Sequence, residues 1–421
     1  MSSGGRDTLL CCFQKLKVSV TSDSSHIQSR NSPSVAVVTC LLNADLCRTI
    51  ASYCDCSDLL QLEQVNLYWQ RIVLNQFEGM IDLPDYKYLI YKRRKFTSAK
   101  RLCCRIAHRR KNNINKMYLL GGSYQSVSKV TCTLEVSTDI SVSESLPASL
   151  PQDLSCQAST FDRDGNFVVL GGYSDQFSTA ISTVRCINIQ EPTSSWRTLV
   201  PLCNARCYGA AVTNNSGDIL HIGGGESPYQ GGACFSDSYI WKYGENDWRE
   251  RVVPDMHNVR CGHSAVALFD DNIIVTGGYA GGTSFHSSVE MLTSTLDRWV
   301  QLPSMSVPRS GMAAVVGPCG SVYVAGGSPN GTVGHKLSER FDPREGKWTQ
   351  LANMHVGRGY TTSCLSVCES GFYVLGGIDS WVYSQSMEFY DFRMNHWTVK
   401  EAHSDTNALL ARATAHLVPD V

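Results

Sequence analysis

Arginine recurs at one position of this 421-residue sequence. It stands just before a short apolar run at intervals of about fifty residues, and the series comprises Arg206, Arg260, Arg309, Arg358 and Arg412. A guanidinium group binds carboxylates and phosphates through paired hydrogen bonds. If these side chains converge, they predict a site for an acidic or phosphorylated protein segment. The alternative is that each arginine pairs internally with a backbone carbonyl or a glutamate.

Motifs of enzymatic and metal chemistry are missing from the sequence. It contains no Gly-x-Ser-x-Gly, no P-loop, no Gly-x-Gly-x-x-Gly after a strand and no Cys-x-x-Cys pair with zinc spacing. Cysteine pairs such as Cys203 and Cys207 stand alone. We therefore predict no catalytic residue, no metal and no cofactor, and expect a non-catalytic binding protein.

The arginines belong to a repeated unit. A pair of glycines follows a four-residue β-rich run in six places, and the pairs begin at Gly121, Gly171, Gly223, Gly277, Gly326 and Gly376. In five units a turn joins this run to a preceding one, and in five a tryptophan follows the glycines. Each unit is thus a small antiparallel sheet that must stack on its neighbours to bury both faces. Radial stacking predicts a β-propeller.

The phase of the repeat predicts how the ring closes. The first unit lacks its innermost strand, and an extra copy of that strand, from Arg412 to Val418, follows the last unit. Pairing the two would remove two exposed sheet edges. We expect a mainly-β fold, a six-bladed propeller closed by a C-terminal strand.

Residues 116–421 resemble kelch repeats. Besides the glycine pair and the tryptophan, three units carry a glutamate nine residues before the tryptophan, at Glu290, Glu339 and Glu388. Ile187 and Tyr239 take that position in the second and third units. The resemblance implies a propeller that binds another protein.

The resemblance also implies where the target would bind. In kelch-like ubiquitin-ligase adaptors, arginines of this series and side chains just after the glycine pair contact the target. The post-glycine positions here are Ser123, Tyr173, Gly225, Tyr279, Ser328 and Ile378. We take Tyr173, Tyr279 and Ser328, with the five arginines, as the predicted target-binding residues.

The N-terminal third is divided into three segments. The composition and periodicity predict a disordered tail at residues 1–38, a small all-α module at residues 39–80 and a basic helical linker at residues 81–115. The module resembles the F-box, although Asn43 replaces the usual proline. That resemblance implies binding to the Skp1 adaptor, and through it to a cullin, by Leu42, Leu46, Ile50, Leu59, Leu62, Val65 and Trp69. The alternative is a helical module that only packs against the propeller.

Charge is unevenly distributed along the chain. The total is nearly balanced, with 37 basic and 38 acidic residues, so nucleic acid is not an expected partner of the whole chain. Between Tyr86 and Lys116, however, there are twelve Lys or Arg and no acidic residue. This stretch predicts a nuclear-localisation signal, an RNA contact, an acidic partner or a solvated linker. With no signal segment and no apolar run of membrane length, we expect a protein of the cytoplasm or nucleus.

Together the two resemblances predict the substrate-recognition subunit of an SCF-type cullin-RING ubiquitin ligase. The F-box-like module would bind Skp1, and the propeller would bind the target protein. The alternative is a non-degradative kelch scaffold for cytoskeletal or signalling proteins.

Overall fold

The computed structural model describes the propeller part of the chain. It covers residues 116–120, 131–136, 140–143, 154–400 and 414–417, with gaps at 175, 190, 192, 228–231, 246, 251, 318, 366–370 and 385. The strands before residue 144 and after residue 413 are described by their backbone only. All these residues belong to the second of two units, Arg109–Val421. The predicted tail 1–38, the F-box-like module 39–80 with its seven adaptor-facing residues, and the linker 81–115 lie outside the described residues.

The described residues form 28 β-strands. Sheet 1 begins with β1 (Lys116–Leu120), β2 (Thr131–Val136) and β3 (Ile140–Ser143). Blade 2 contains β4 (Ala158–Phe161), β5 (Asn166–Leu170), β6 (Tyr173–Ser174), β7 (Thr179–Ala180), β8 (Val184–Asn188) and β9 (Arg197–Leu199). Blade 3 contains β10 (Ala210–Thr213), β11 (Ile219–Ile222), β12 (Ser238–Trp241) and β13 (Trp248–Glu250).

Blade 4 contains β14 (Ser264–Ala267), β15 (Ile273–Thr276), β16 (Val289–Leu292) and β17 (Trp299–Leu302). Blade 5 contains β18 (Ser310–Val316), β19 (Val322–Ser328), β20 (Ser338–Asp342) and β21 (Lys347–Gln350). Blade 6 contains β22 (Thr362–Leu365), β23 (Gly371–Leu375), β24 (Ile378–Asp379), β25 (Val382–Tyr383), β26 (Met387–Asp391) and β27 (His396–Lys400). The last strand is β28 (Thr414–Leu417).

Blades 2 to 6 are four-stranded antiparallel meanders of a mainly-β propeller. Their innermost strands β4, β10, β14, β18 and β22 lie side by side in chain order. The C-terminal strand β28 pairs with β1, with Met117 opposite Leu417, and gives sheet 1 four strands. This strand pairing was predicted from the phase of the repeat, and it is present.

No helix in the described part of the chain is long and apolar enough to cross a membrane.

The core lies between neighbouring blades. The second strand of each blade is packed on both faces, as in β5, where every residue from Phe167 to Leu170 is buried. One cluster joins Leu170 and Val184 of blade 2 to Ile219 and Trp248 of blade 3. Trp248 therefore fills the space between sheets, as predicted, and apolar burial of this kind supplies most of the stabilisation.

The tryptophan on the outermost strand also makes a polar contact. Trp248, Trp299, Trp348 and Trp397 donate their indole N–H to a backbone carbonyl in the segment that leads into their own blade, at 2.8 to 3.0 Å. Each tryptophan thus fixes the connection from the preceding blade as well as the interface between sheets.

The glycine pairs bring neighbouring blades into backbone contact. The N–H of Gly278 in blade 4 donates to the carbonyl of Arg309 in blade 5 at 2.9 Å. At Gly277, where φ is 61°, a Cβ atom would collide with that same carbonyl. Glycine is required there both for the left-handed backbone and for the close approach.

Candidate functional site

The four described arginines of the series are completely buried. Arg206, Arg260, Arg309 and Arg358 each have 0% of their surface exposed. Each stands immediately before the innermost strand region of its blade, and its carbonyl accepts the N–H of the second glycine of the preceding blade at 2.7 to 2.9 Å. A guanidinium removed from water must be paired and hydrogen-bonded to be stable there.

Arg260 shows how the buried charge is matched. Its Nη2 and Nε donate to Glu290 Oε1 at 2.8 and 3.3 Å. Its Nη1 donates to the carbonyls of Gly277 and Ser288 at 2.5 and 3.0 Å. Glu290 also accepts the backbone N–H and the Nδ1–H of His257 at 2.7 and 2.8 Å. Burial opposes the ionisation of Glu290, but the donors Arg260 and His257 outweigh it, so the pKa of Glu290 lies below its ordinary value.

The same arrangement recurs in blades 5 and 6. Arg309 donates to Glu339, and Arg358 donates to Glu388 at 3.4 Å. Each guanidinium also donates to the carbonyl of the first glycine of its own blade, at 3.1 and 2.7 Å. The glutamate of the kelch motif is therefore the internal partner of the arginine in the same blade.

Blade 3 reaches the same result with different residues. Tyr239 occupies the position of the missing glutamate, and its hydroxyl accepts Arg206 Nη2 at 2.7 Å. Asp237, two residues earlier, binds the guanidinium through both oxygens at 2.9 and 3.1 Å. The rings of Phe235 and Tyr239 lie 4.7 and 4.3 Å from the guanidinium carbon.

Blade 2 replaces both members of the pair by apolar residues. Leu154 stands where the other blades have arginine, and Ile187 stands where three of them have glutamate. Both are buried, at 2% and 0% exposure, in one apolar cluster with Phe167. The two departures from the repeat are therefore one coordinated exchange of an ion pair for an apolar contact.

These contacts correct the prediction that the arginine series binds the target. Arg206, Arg260, Arg309 and Arg358 are enclosed and bonded to groups of the propeller itself, so the internal alternative is right. Arg412 lies outside the described residues. The four described arginines therefore give no support to an acidic or phosphorylated target.

The post-glycine positions differ from one another in exposure. Tyr173 and Ser328 are buried, at 6% and 1% exposure, which contradicts their predicted contact with a target. Tyr279 is half-buried, donates its hydroxyl to the carbonyl of Gly282 at 3.1 Å, and packs on Phe285 with ring centroids 5.1 Å apart. Tyr279 is thus the accessible member of the three.

A narrow cavity runs along the innermost strands. Its volume is about 210 Å³, and its lining includes Gln157, Ser159, His263 and Ser264. Tyr208 and Tyr360 also line it, and their ring centroids are 5.7 Å apart. Pockets for small molecules usually exceed ~300 Å³. This cavity is therefore small for a ligand of that kind.

Two histidines near this cavity are buried in neutral form. Burial, reinforced by the charge of Arg206, holds the pKa of His221 well below its ordinary value. Burial and the charge of Arg260 lower the pKa of His263 to about 3. Protonating either ring would place a charge in the apolar interior.

The loops after the glycine pairs form one face of the propeller, here called the loop face. The segments that lead into the innermost strands lie on the same face, because the two sets pair directly, as Cys261 does with Tyr279 and Gly359 with Ile378. Large apolar side chains are exposed on it: Phe177 at 62%, Val333 at 45%, Trp381 at 74% and Val382 at 69%. Other large apolar side chains, such as Phe269 and Met394, are exposed in turns of the opposite face. The loop face is distinguished by Trp381, its most exposed large apolar residue and of a type that often anchors protein-binding surfaces.

Trp381 is displayed by a strained and anchored hairpin. The strands β24 and β25 are joined by Ser380 and Trp381, whose φ angles are 50° and 69°. Left-handed backbone at a tryptophan is unfavourable and is often found at functional sites. Neighbouring blade 5 holds the hairpin, because Ser380 N–H donates to Thr332 O at 2.9 Å and Gly334 N–H donates to Asp379 Oδ1 at 3.0 Å.

The exposed apolar residues were not predicted from the sequence. A signal was available, since Phe177 and Trp381 stand in turns after a glycine pair, where small polar residues are usual, and Val382 directly follows the second of these turns. Large apolar residues at such positions have no place in the core. Their exposure is better explained by a partner than by packing.

Comparison with known families identifies the repeat. The family described as "KLHDC2/KLHL20/DRC7 Kelch-repeats domain" matches residues 158–358 and, in a second overlapping alignment, residues 209–420. This chain belongs to the kelch-repeat family, whose propellers are typically non-enzymatic protein-interaction scaffolds.

Individual relatives are more distant. The chain is 26% identical to beta-scruin of Limulus polyphemus over 148 residues, which is 34% of this chain and 15% of beta-scruin. The solved structure titled "Structure of YjhT" superposes with a TM-score of 0.53 at 12% identity, over 65% of this chain and 90% of that one. The second likeness concerns the fold alone.

Proposed function

We propose that the loop face binds a target protein through apolar anchors. The observation that carries this proposal is the hairpin of Trp381, which exposes 74% of a tryptophan although the backbone is anchored to the neighbouring blade. A pre-positioned aromatic side chain loses little conformational freedom on binding, so its contact area is used efficiently. Phe177 and Val382 add apolar surface on the same face.

The proposed target is therefore recognised by an apolar segment. The arginines that would have recognised an acidic or phosphorylated segment are occupied by carboxylates and carbonyls of the propeller. The exposed apolar side chains lie on separate loops with polar surface between them. A partner segment with one or more large apolar side chains flanked by polar residues would match this surface.

We further propose that the bound protein is presented for ubiquitination. The support is the F-box-like pattern of residues 39–80, which implies that Leu46, Ile50 and Trp69 contact Skp1 within an SCF-type ligase of the cytoplasm or nucleus. In that role the chain contributes proximity between target and ubiquitin-loaded enzyme, not a chemical step.

We also propose that sheet 1 acts as a sixth blade of the propeller. Its strand β28 lies beside both β22 of blade 6 and β4 of blade 2.

The competing function is a non-degradative kelch scaffold. It has the same loop face and the same target chemistry, but its N-terminal helical module would only pack against other parts of the chain. The kelch-repeat membership and the similarity to beta-scruin fit this function equally well. The two functions differ in whether Skp1 and a cullin bind.

A binding experiment distinguishes the two functions. Purified Skp1 and cullin are mixed with the wild-type chain and with a Leu46→Ala, Ile50→Ala, Trp69→Ala variant whose propeller remains folded by circular dichroism. Binding by the wild type alone is expected for the ligase subunit. If neither protein binds, the ligase proposal is wrong and the scaffold becomes the leading function.

The loop face is tested separately from the adaptor. Proteins that co-purify with the full chain are compared between wild type, the Phe177→Ala, Trp381→Ala, Val382→Ala variant and Met394→Ala. Met394 is a matched control, because it is 72% exposed in the turn between β26 and β27, at the opposite end of blade 6. Partners lost in the triple variant and kept in Met394→Ala support the proposal, whereas an unchanged set of partners refutes it.

A further inference from the structure

Two cysteine sulfur atoms meet on the loop face, and the proposed function does not use them. Cys234 Sγ and Cys261 Sγ are 2.9 Å apart, and neither residue is in a disulfide. An S–S bond is about 2.05 Å long, so the sulfur atoms need to move by less than ~1 Å to reach bonding distance. No motif in the sequence indicated this pair, because the two residues are far apart in the repeat.

The two cysteines belong to different blades and differ in exposure. Cys234 lies in the insert of blade 3, where it pairs with Gly225, and it is half-buried. Cys261 follows Arg260 at the entrance to blade 4 and is 5% exposed. A bond between them would therefore attach the blade 3 insert to the next blade. A small reagent can approach from the side of Cys234.

Their hydrogen bond assigns different chemical roles to the two sulfur atoms. The bond donated by Cys261 lowers the pKa of Cys234, although burial opposes this change. The same hydrogen bond, together with burial, raises the pKa of Cys261. Cys234 is consequently the better nucleophile, since the thiolate and not the thiol reacts. Cys261 is placed to react second.

We propose that Cys234 and Cys261 are a modification site at which hydrogen peroxide forms a reversible disulfide between blades 3 and 4. The Cys234 thiolate attacks one peroxide oxygen, the O–O bond breaks, and the departing hydroxide takes up a proton to become water. Cys234 is then a sulfenic acid.

Cys261 completes the reaction. Its sulfur attacks the sulfenic sulfur, the S–S bond forms and the S–O bond breaks, and the thiol proton leaves with the hydroxide as a second water. Two thiols have lost two protons and two electrons, and one peroxide has become two waters. A dithiol reductant reverses the change. This inference does not depend on the identity of the target or on the ligase role.

Peptide mapping tests the proposal on the full-length chain. The protein is treated with hydrogen peroxide, its remaining thiols are alkylated, and it is digested with trypsin under non-reducing conditions. Cleavage after Arg206, Lys242, Arg260 and Arg298 places Cys234 in peptide 207–242 and Cys261 in peptide 261–298. The expected product is these two peptides linked, at two hydrogens less than their summed mass, and separated by dithiothreitol.

Three variants assign the bond. Peptide 207–242 also contains Cys207, so Cys207→Ser is expected to keep the linked product and Cys234→Ser to abolish it. The exposed Cys203 provides the matched control, and Cys203→Ser is expected to keep the product. The proposal is overturned if the link persists in Cys234→Ser, if it disappears in Cys207→Ser, or if the natively folded wild type shows only sulfinic acid or unmodified thiols.

Discussion

The apolar exchange in blade 2 can be transplanted to blade 4. The variant Glu290→Ile removes the carboxylate and leaves Arg260 buried, whereas Arg260→Leu with Glu290→Ile reproduces the combination of Leu154 and Ile187. If an apolar pair packs in blade 4 as it does in blade 2, the double variant is more stable than Glu290→Ile alone. An added substitution would then restore stability.

The size of the effect follows from the contacts of the pair. Arg260 and Glu290 are both 0% exposed, and breaking such a pair by removing one partner costs about 3 to 5 kcal/mol. After the loss of Glu290, Arg260 still donates to Gly277 and Ser288, so we expect about 3 kcal/mol. Replacing a buried pair by apolar residues is often nearly neutral. The double variant should therefore lie within about 2 kcal/mol of the wild type.

These differences in unfolding free energy are measured by urea unfolding at pH 7, followed by tryptophan fluorescence. The transition midpoints are compared between variants that have the same m-value. Arg393→Ala is the control, since Arg393 forms a long, partly exposed pair with Asp391 at 3.9 Å and should change stability by less than about 1 kcal/mol. If the double variant is less stable than Glu290→Ile, Arg260 stabilises the blade even without its carboxylate, and the reasoning is refuted.

Three further predictions concern the buried polar groups and the interfaces between blades. Burial lowers the pKa of His263 to about 3 in the folded state, so the stability contributed by its neutral ring is fully present above about pH 6.5 and is lost as the pH falls toward 3, at about 1.4 kcal/mol per pH unit. The lowered pKa of His221 acts in the same direction. Urea midpoints measured at several pH values should therefore fall less steeply with decreasing pH in His263→Asn than in the wild type, and an equal fall contradicts this. Gly277→Ala should lower the free energy of unfolding by more than about 2 kcal/mol, because the added Cβ atom collides with the backbone of the next blade. Gly244→Ala, at φ 85° with nothing within 4 Å, should lower it by only about 1 kcal/mol. Equal losses of stability in the two variants would show that the steric contact at Gly277 is unimportant. Trp397→Phe should lose about 1 to 3 kcal/mol by urea unfolding, since it removes a 2.9 Å hydrogen bond and part of a ring that is 1% exposed.

Periodicity made the blades predictable from the sequence. The glycine pairs mark the end of every second strand because only glycine allows the approach of the next blade, as at Gly277. The extra strand at residues 412–418 could be predicted to pair with β1, because the first unit lacked its innermost strand and so left one edge of β1 unpaired. Local spacing and edge pairing are properties that a sequence displays directly.

The candidate site was harder to predict, because the same residue type serves two roles. An arginine before an innermost strand has the chemistry to bind an external anion, and only the structure shows that Glu290 already occupies Arg260. The joint absence of arginine and glutamate in blade 2, at Leu154 and Ile187, was visible in the sequence and pointed to internal pairing. The exposure of Trp381 depends on a left-handed turn, which its residue type does not favour.

The pairing of β28 with β1 also has a consequence for synthesis on the ribosome. About 300 residues separate these strands in the chain, so at 5 to 20 residues per second β1 waits roughly 15 to 60 s for its partner. During that time the inner edge of β1 is open to other strands, including those of a second nascent chain. Until β28 has been synthesised, the inner edge of sheet 1 stays unpaired, and a factor that shields this sheet during translation would protect the chain from domain swapping and aggregation.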